Sequence, residues 1–111
     1  PRLIGFQKAS ALMMLGDKVS AEEAEKLGMV YKVVSSENFS EEVNTIANTL
    51  ANMPTKALGL TKRLLNSSLQ NSLEEQLNLE SKLQIESAQS DDYAEGVDAF
   101  VNKRKPNFKG N

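Results

Sequence analysis

The sequence predicts a mostly α-helical fold, with about six helices and one short strand near residues 29–34. Apolar residues recur at intervals of three and four along most of the chain, and capping residues, glycines and prolines separate these segments. The segment from Met29 to Val34 is instead rich in β-branched residues and alternates enough to predict a strand. The 111 residues contain no internal repeat or low-complexity linker, so residues 1–111 are assigned to one domain.

The first two helices are predicted from their composition and their ends. From Leu3 to Leu15, apolar residues occupy nearly every direction around a helix, which predicts burial on most sides against a large partner surface. Gly16 ends this helix. The sequence Ser-Ala-Glu-Glu at residues 20–23 is a capping box that opens a short helix ending at Gly28.

Three more helices follow the predicted strand. The first is capped by Asn38 or Ser40 and runs to about Asn52, and the second begins at Pro54 and runs to about Leu69. A capping box, Ser-Leu-Glu-Glu at residues 72–75, opens the third and longest helix.

The longest helix is predicted to carry two apolar faces. One face contains Leu73, Leu77, Ile85 and Ala88, and the opposite face contains Leu79 and Leu83. One face can pack on the chain's own helices, which leaves the other for another subunit or an absent domain. The alternative is that a few leucines are simply exposed on a helix surface, which is common.

The last helix, from about Asp91 to Arg104, ends in an aromatic ring and a cationic cluster. Phe100 and Lys103 are three residues apart, so a ring lies beside an ammonium group, which suits a flat, phosphorylated ligand. Two alternatives remain open: Phe100 has the spacing of a core residue, and cations in a last helical turn complement the helix dipole. Pro106 prevents continuation of the helix.

Composition excludes several classes of function. A net charge of −2 gives no general attraction to nucleic acid or anionic membranes, and no apolar run approaches the roughly 20 residues of a membrane span. The chain has no cysteine and no histidine, so we predict no disulfide, thiolate nucleophile, Ser-His-Asp relay or zinc site.

The paired glutamates at 22–23 and 74–75 are interpreted as caps rather than as acid/base catalysts. No export leader is recognised, so a cytoplasmic location is expected.

Motifs at both ends and between them resemble one family. Residues 95–110 read EGVDAFVNKRKPNFKG, and residues 1–5, 15–17, 20–24 and 27–30 read PRLIG, LGD, SAEEA and LGMV. This order resembles the C-terminal part of the enoyl-CoA hydratase/isomerase (crotonase) superfamily, where an EG-x-x-A-F-x-x-K-R-x-P-x-F-x-G ending is common. Residues 54–59 and 71–84 look closest to the ring-epoxide isomerases that act on phenylacetyl-CoA derivatives.

The resemblance implies a role for the chain and for two residues. It implies a C-terminal helical oligomerisation domain whose catalytic N-terminal spiral domain, with the oxyanion-hole amides and the acid/base carboxylates, is absent. Phe100 and Lys103 match positions that help to hold the adenine and phosphate end of coenzyme A. Coenzyme A is then part of an acyl-CoA substrate, and no separate cofactor is expected. The parent is expected to form trimers or hexamers, and this chain alone to be inactive.

A second hypothesis is a stand-alone helical protein-interaction module without catalytic activity. It would bind through the apolar face around Leu79 and Leu83.

Overall fold

The computed structural model describes residues 1–111 and contains six helices, which confirms the mostly α-helical fold. They are α1 (Phe6–Leu15), α2 (Ala21–Lys26), α3 (Phe39–Ala51), α4 (Thr55–Ser67), α5 (Leu73–Ala88) and α6 (Asp91–Val101). None of these helices is long and apolar enough to cross a lipid bilayer.

The strand predicted near residues 29–34 is wrong, because this segment is irregular. Its backbone groups bond to α2 instead: the Met29 N–H donates to the Ala24 carbonyl at 2.8 Å, and the Val33 N–H to the Glu25 carboxylate at 2.9 Å. A strand needs a neighbouring strand to satisfy its backbone hydrogen bonds, and the chain provides none.

Residues Pro1–Glu42 form one compact unit that contains α1 and α2. Helix α1 begins at Phe6, later than the predicted Leu3, because a turn precedes it. The predicted burial of α1 on most sides is not met within this chain. Only Ala9 is buried, whereas Phe6 and Met14 remain 78% and 84% exposed.

The ends of α2 follow the predicted chemistry in part. The reciprocal half of the predicted capping box, from the Ser20 N–H to the Glu23 carboxylate, is not formed. The Ser20 hydroxyl accepts a hydrogen bond from the Glu23 N–H at 3.1 Å, which confirms a cap at this end. At the other end Gly28 adopts a left-handed conformation with φ of 74°. The Gly28 N–H donates to Glu25 and the next N–H donates to Ala24, at 2.9 and 2.8 Å, which is a Schellman motif.

Residues Val43–Asn111 form the second compact unit, in which α5 packs against both α4 and α6. Its core consists of Leu60 from α4, Leu83 from α5 and Ala99 from α6. The predicted capping box of α5 is complete. The Ser72 hydroxyl accepts from the Glu75 N–H, while the Glu75 carboxylate accepts from the Ser72 N–H at 2.8 Å.

The two apolar faces of α5 are correct, but the assignment of the outward face is wrong. Leu83 is only 2% exposed and Leu79 is half-buried, so their face is the inner one. Leu77 and Ile85, on the opposite face, are 56% and 59% exposed. The Leu79 and Leu83 face therefore cannot serve the interaction module that the sequence offered as a second hypothesis.

Candidate functional site

The last helix ends earlier than predicted, and this changes how Phe100 and Lys103 are related. Helix α6 ends at Val101 rather than at Arg104. Lys103 lies beyond the helix with φ of 51°, and it is the chain's one non-glycine residue with positive φ. Its N–H donates to the Phe100 carbonyl at 3.3 Å. The two residues are therefore joined through the closing turn of the helix rather than along one helical face.

The closing turn of α6 is a Schellman motif. The Lys103 N–H bonds to the carbonyl of Phe100, and the Arg104 N–H bonds to that of Ala99 at 3.0 Å. Glycine usually occupies the left-handed position of this motif, because a Cβ atom is crowded there. In α6 a lysine occupies it.

Arg104 fixes the chain immediately after this turn. Its guanidinium donates two bonds to Glu95, with Nη1–Oε1 2.6 Å and Nη2–Oε2 2.8 Å, and a further bond to Asp98. Glu95 also accepts the Asn107 N–H at 2.7 Å. The Arg104 guanidinium, followed by this N–H, lowers the pKa of Glu95 to about 2. The carboxylates of Glu95 and Asp98 raise the pKa of Arg104 in turn.

The last residues of the chain run back to the beginning of α6. Asp92 is 3% exposed, and its two carboxylate oxygens accept the N–H groups of Lys109 and Gly110 at 2.6 and 2.8 Å. The Asp92 N–H donates to the carbonyl of Asn111 at 3.2 Å. Asp92 therefore holds the C-terminal segment by three hydrogen bonds, two through its buried carboxylate and one through its backbone N–H.

The segment packs beside Gly96 and needs a glycine at residue 110. The ring of Phe108 lies where a side chain on Gly96 would extend, 3.5 Å from an added Cβ. Gly110 has φ of 82°, and an added Cβ would stand 2.5 Å from the hydroxyl oxygen of Thr55. The tail thus contacts both α6 and the first residue of α4.

Phe100 and Lys103 are not used in this packing. Phe100 is 85% exposed, so it is not part of the core formed within this chain. Lys103 is exposed, and its ammonium makes no ion pair within the chain. Phe100 borders a largely apolar groove of about 340 Å³, whose walls include Pro54, Tyr93, Val97 and Phe108. The ring and the cation therefore lie at the C-terminal end of α6, and the apolar groove runs along the helix from its first turn to Phe100.

Reasoning from the sequence missed the anchoring residues. The sequence predicts no distant contact for Asp92, and it indicates Arg104 only as a member of the cationic cluster at the end of the last helix. For Arg104 the signal is the EG-x-x-A-F-x-x-K-R-x-P-x-F-x-G pattern, which contains both Glu95 and Arg104, nine positions apart and paired in the structure. One glutamate of each pair interacts with a helix start. The Glu22 backbone N–H and then the Ser20 hydroxyl lower the pKa of Glu22, and the backbone N–H and hydroxyl of Ser72 lower the pKa of Glu75.

Comparison with known proteins decides the family. The family description "Enoyl-CoA hydratase/isomerase" matches residues 1–111. The chain belongs to the enoyl-CoA hydratase/isomerase family. It is 43% identical, over 99% of its length, to the 1,2-epoxyphenylacetyl-CoA isomerase of Escherichia coli K12, in agreement with the predicted likeness to ring-epoxide isomerases.

Solved structures of the hydratase/isomerase family have the same fold. An enoyl-CoA hydratase from Geobacillus kaustophilus superposes with a TM-score of 0.95 at 32% identity, covering 99% of this chain. One from Bacillus anthracis superposes with a TM-score of 0.93 at 33% identity, covering 100% of this chain. The chain spans 42% of the length of the Escherichia coli isomerase and 42% and 43% of the two solved chains.

Proposed function

We propose that this chain is the C-terminal helical domain of an enoyl-CoA hydratase/isomerase enzyme, and that Phe100 and Lys103 hold the nucleotide end of an acyl-CoA substrate. The assignment of Phe100 and Lys103 to the nucleotide end is supported by one structural observation. Within residues 95–110, Glu95, Arg104 and Phe108 contact other parts of the chain, whereas Phe100 and Lys103 are exposed. Several residues of this stretch are exposed, and the match of Phe100 and Lys103 to the family's C-terminal pattern selects these two as ligand contacts.

The chemistry of the two residues suits the two ends of an adenosine phosphate. The face of the Phe100 ring offers a stacking surface for adenine, and the adjoining groove is apolar. The Lys103 ammonium supplies a point charge for the 3′-phosphate of coenzyme A. Coenzyme A enters as part of the substrate, and the chain needs no separate cofactor for this contact.

The reaction proposed for the full-length protein is that of its family. Backbone amides stabilise a thioester enolate, while a carboxylate moves a proton or adds water across a double bond. We expect these groups outside the 111 residues, as the resemblance implies, and the Glu75 carboxylate of this chain is already bonded to Ser72 at the start of α5. Ring-epoxide isomerisation is the more specific proposal, supported by the 43% identity to 1,2-epoxyphenylacetyl-CoA isomerase. The chain alone should show no turnover.

The exposed apolar residues support a role in assembly. Twenty-two large hydrophobic side chains are exposed, whereas only four hydrophobic residues are buried. An apolar surface of this extent is unusual for an isolated domain. We propose that it packs against the rest of the enzyme and against neighbouring subunits of a trimer or hexamer. A cytoplasmic location, and the absence of nucleic-acid and membrane partners, stay predictions from composition.

Titration of the full-length protein with coenzyme A and with 3′-dephospho-coenzyme A tests the proposal. Lys103→Ala should weaken coenzyme A binding about fivefold at low salt, less at high salt, and should leave dephospho-coenzyme A nearly unchanged. Phe100→Ala should weaken both ligands, because it removes a stacking surface. Val101→Ala is the matched control, since Val101 is also exposed but lies outside the proposed site. Equal losses of both ligands in Lys103→Ala would refute the phosphate contact.

A further inference from the structure

The backbone of Lys103 is strained where the proposed phosphate contact lies. Its φ of 51° is in the left-handed region, which residues with a Cβ atom adopt at a cost in free energy. Strain of this kind persists only where surrounding contacts fix the conformation, and it is concentrated at functional sites. The contacts of the neighbouring residues therefore determine whether Lys103 keeps this conformation.

The residues on both sides of Lys103 are fixed to α6. On one side, the Asn102 amide donates to the carbonyl and to the carboxylate of Asp98, at 3.0 and 2.9 Å. On the other side, Arg104 is held by its forked contact with Glu95, by Asp98, and by its own N–H to the Ala99 carbonyl. Lys103 thus lies between two residues that are hydrogen-bonded to α6, whereas its own side chain makes no such contact.

Lys103 and Arg104 are adjacent cations, but only Arg104 is paired with carboxylates. Arg104 faces two carboxylates, so the three groups together carry a net negative charge and the guanidinium is already committed. Lys103 faces no carboxylate within ion-pair distance. A phosphate would therefore be attracted to Lys103 rather than to Arg104.

We infer that Arg104 is a positioning residue: its contacts with Glu95 and Asp98 fix the left-handed turn at Lys103 and so set the direction in which the Lys103 side chain leaves the backbone, relative to Phe100. The inference rests on the proposed function, because the ligand positioned in this way is the phosphorylated end of coenzyme A. It adds that Arg104 determines the preference for the 3′-phosphate without touching it.

A double-mutant cycle in the full-length protein tests this role. Arg104→Lys keeps the positive charge but loses the forked geometry, since lysine cannot bind a carboxylate through two parallel N–H groups. The measured quantity is the ratio of affinities for coenzyme A and dephospho-coenzyme A. We expect Arg104→Lys to lower this ratio about threefold when Lys103 is present and to leave it unchanged in the Lys103→Ala background. Glu95→Gln weakens the same fork from the other side and should give the same pattern.

The outcomes separate the possible roles of Arg104. An equal fall of the ratio in both backgrounds would overturn the inference, because Arg104 would then bind the phosphate directly. An unchanged ratio in both Arg104→Lys and Glu95→Gln, with a lowered melting temperature, would also overturn it and leave Arg104 a purely structural role. If Lys103→Ala alone leaves the ratio unchanged, the phosphate assignment in the proposed function is wrong, and the cycle identifies that failure separately.

Discussion

Lys103 closes α6 with the same backbone arrangement with which Gly28 closes α2. In both turns the left-handed residue donates its N–H three residues back, and the following residue donates five residues back. The φ angles are 51° at Lys103 and 74° at Gly28. Glycine adopts this conformation without steric cost, whereas lysine adopts it at a cost in free energy because it has a Cβ atom. The fold alone would therefore favour glycine at residue 103, whereas the proposed phosphate contact accounts for lysine.

Replacing the strained lysine should stabilise the protein at the expense of binding. We expect Lys103→Gly to raise the free energy of unfolding by on the order of 1 kcal/mol, and to abolish the preference for coenzyme A over dephospho-coenzyme A. Urea unfolding and ligand titration of the full-length variant measure the two effects. The control is Gly28→Ala, where no atom lies within 4 Å of the added Cβ, so that the loss of stability there reports φ alone. A destabilised Lys103→Gly protein would contradict the strain argument.

The buried carboxylate of Asp92 should matter far more than that of its neighbour. Asp92→Asn replaces an acceptor with an NH2 group that faces an N–H donor of the tail, at an expected cost of about 1–3 kcal/mol. Asp91 is exposed and lies in the same first turn of α6, so Asp91→Asn should cost only a few tenths of a kcal/mol. Hydrogen exchange at Lys109 and Gly110, together with unfolding curves, distinguishes the two variants. Similar effects in both would show that the tail is not held by Asp92.

The ion pair of Glu95 predicts a particular response to acid. Its pKa falls from the ordinary value of 4.5 to about 2 in the folded chain. The folded state therefore binds a proton less readily than the unfolded state, so the stabilisation is complete above 4.5 and is lost as the pH falls towards 2. Melting temperatures across this range should fall less steeply for Glu95→Gln than for the unmodified protein. Glu74→Gln removes one exposed carboxylate that makes no hydrogen bond, and should keep the steeper dependence. Parallel curves for Glu95→Gln and the unmodified protein would contradict this ion pair.

Assembly should depend on the outer face of α5. Leu77 is 56% exposed within the chain, so Leu77→Glu should leave the core intact but weaken an apolar subunit contact. Sedimentation of the full-length variant should then show a smaller particle. Asn78→Glu adds the same charge at an exposed neighbour and should leave the mass unchanged. Unchanged mass in both variants would place the subunit contact elsewhere.

Local chemistry made most of the fold predictable from the sequence. Ser20 and Ser72 begin helices because their hydroxyls accept hydrogen bonds from residues three positions later, and this requires no distant partner. Gly16 and Gly28 end helices for an equally local reason, since both adopt positive φ. The family and its characteristic C-terminal pattern were also recognisable, because they are properties of residue order.

Features that depend on distant contacts could not be predicted in the same way. The periodicity of α5 reveals two apolar faces but not which one packs against α4 and α6. The second hypothesis therefore used the face of Leu83 for binding a partner, whereas Leu83 is buried and Leu77 is exposed. Asp92 holds Gly110 across 18 positions, a separation that spacing rules do not cover. The predicted strand failed for the same reason, because alternation cannot supply a partner strand.

The structure of the full-length protein with coenzyme A bound tests the central claim most directly. We expect a 3′-phosphate oxygen within about 4 Å of the Lys103 ammonium, adenine stacked on the Phe100 ring, and Arg104 still paired with Glu95 and Asp98. A nucleotide bound elsewhere, with Phe100 and Lys103 making no contact to it, would contradict the claim.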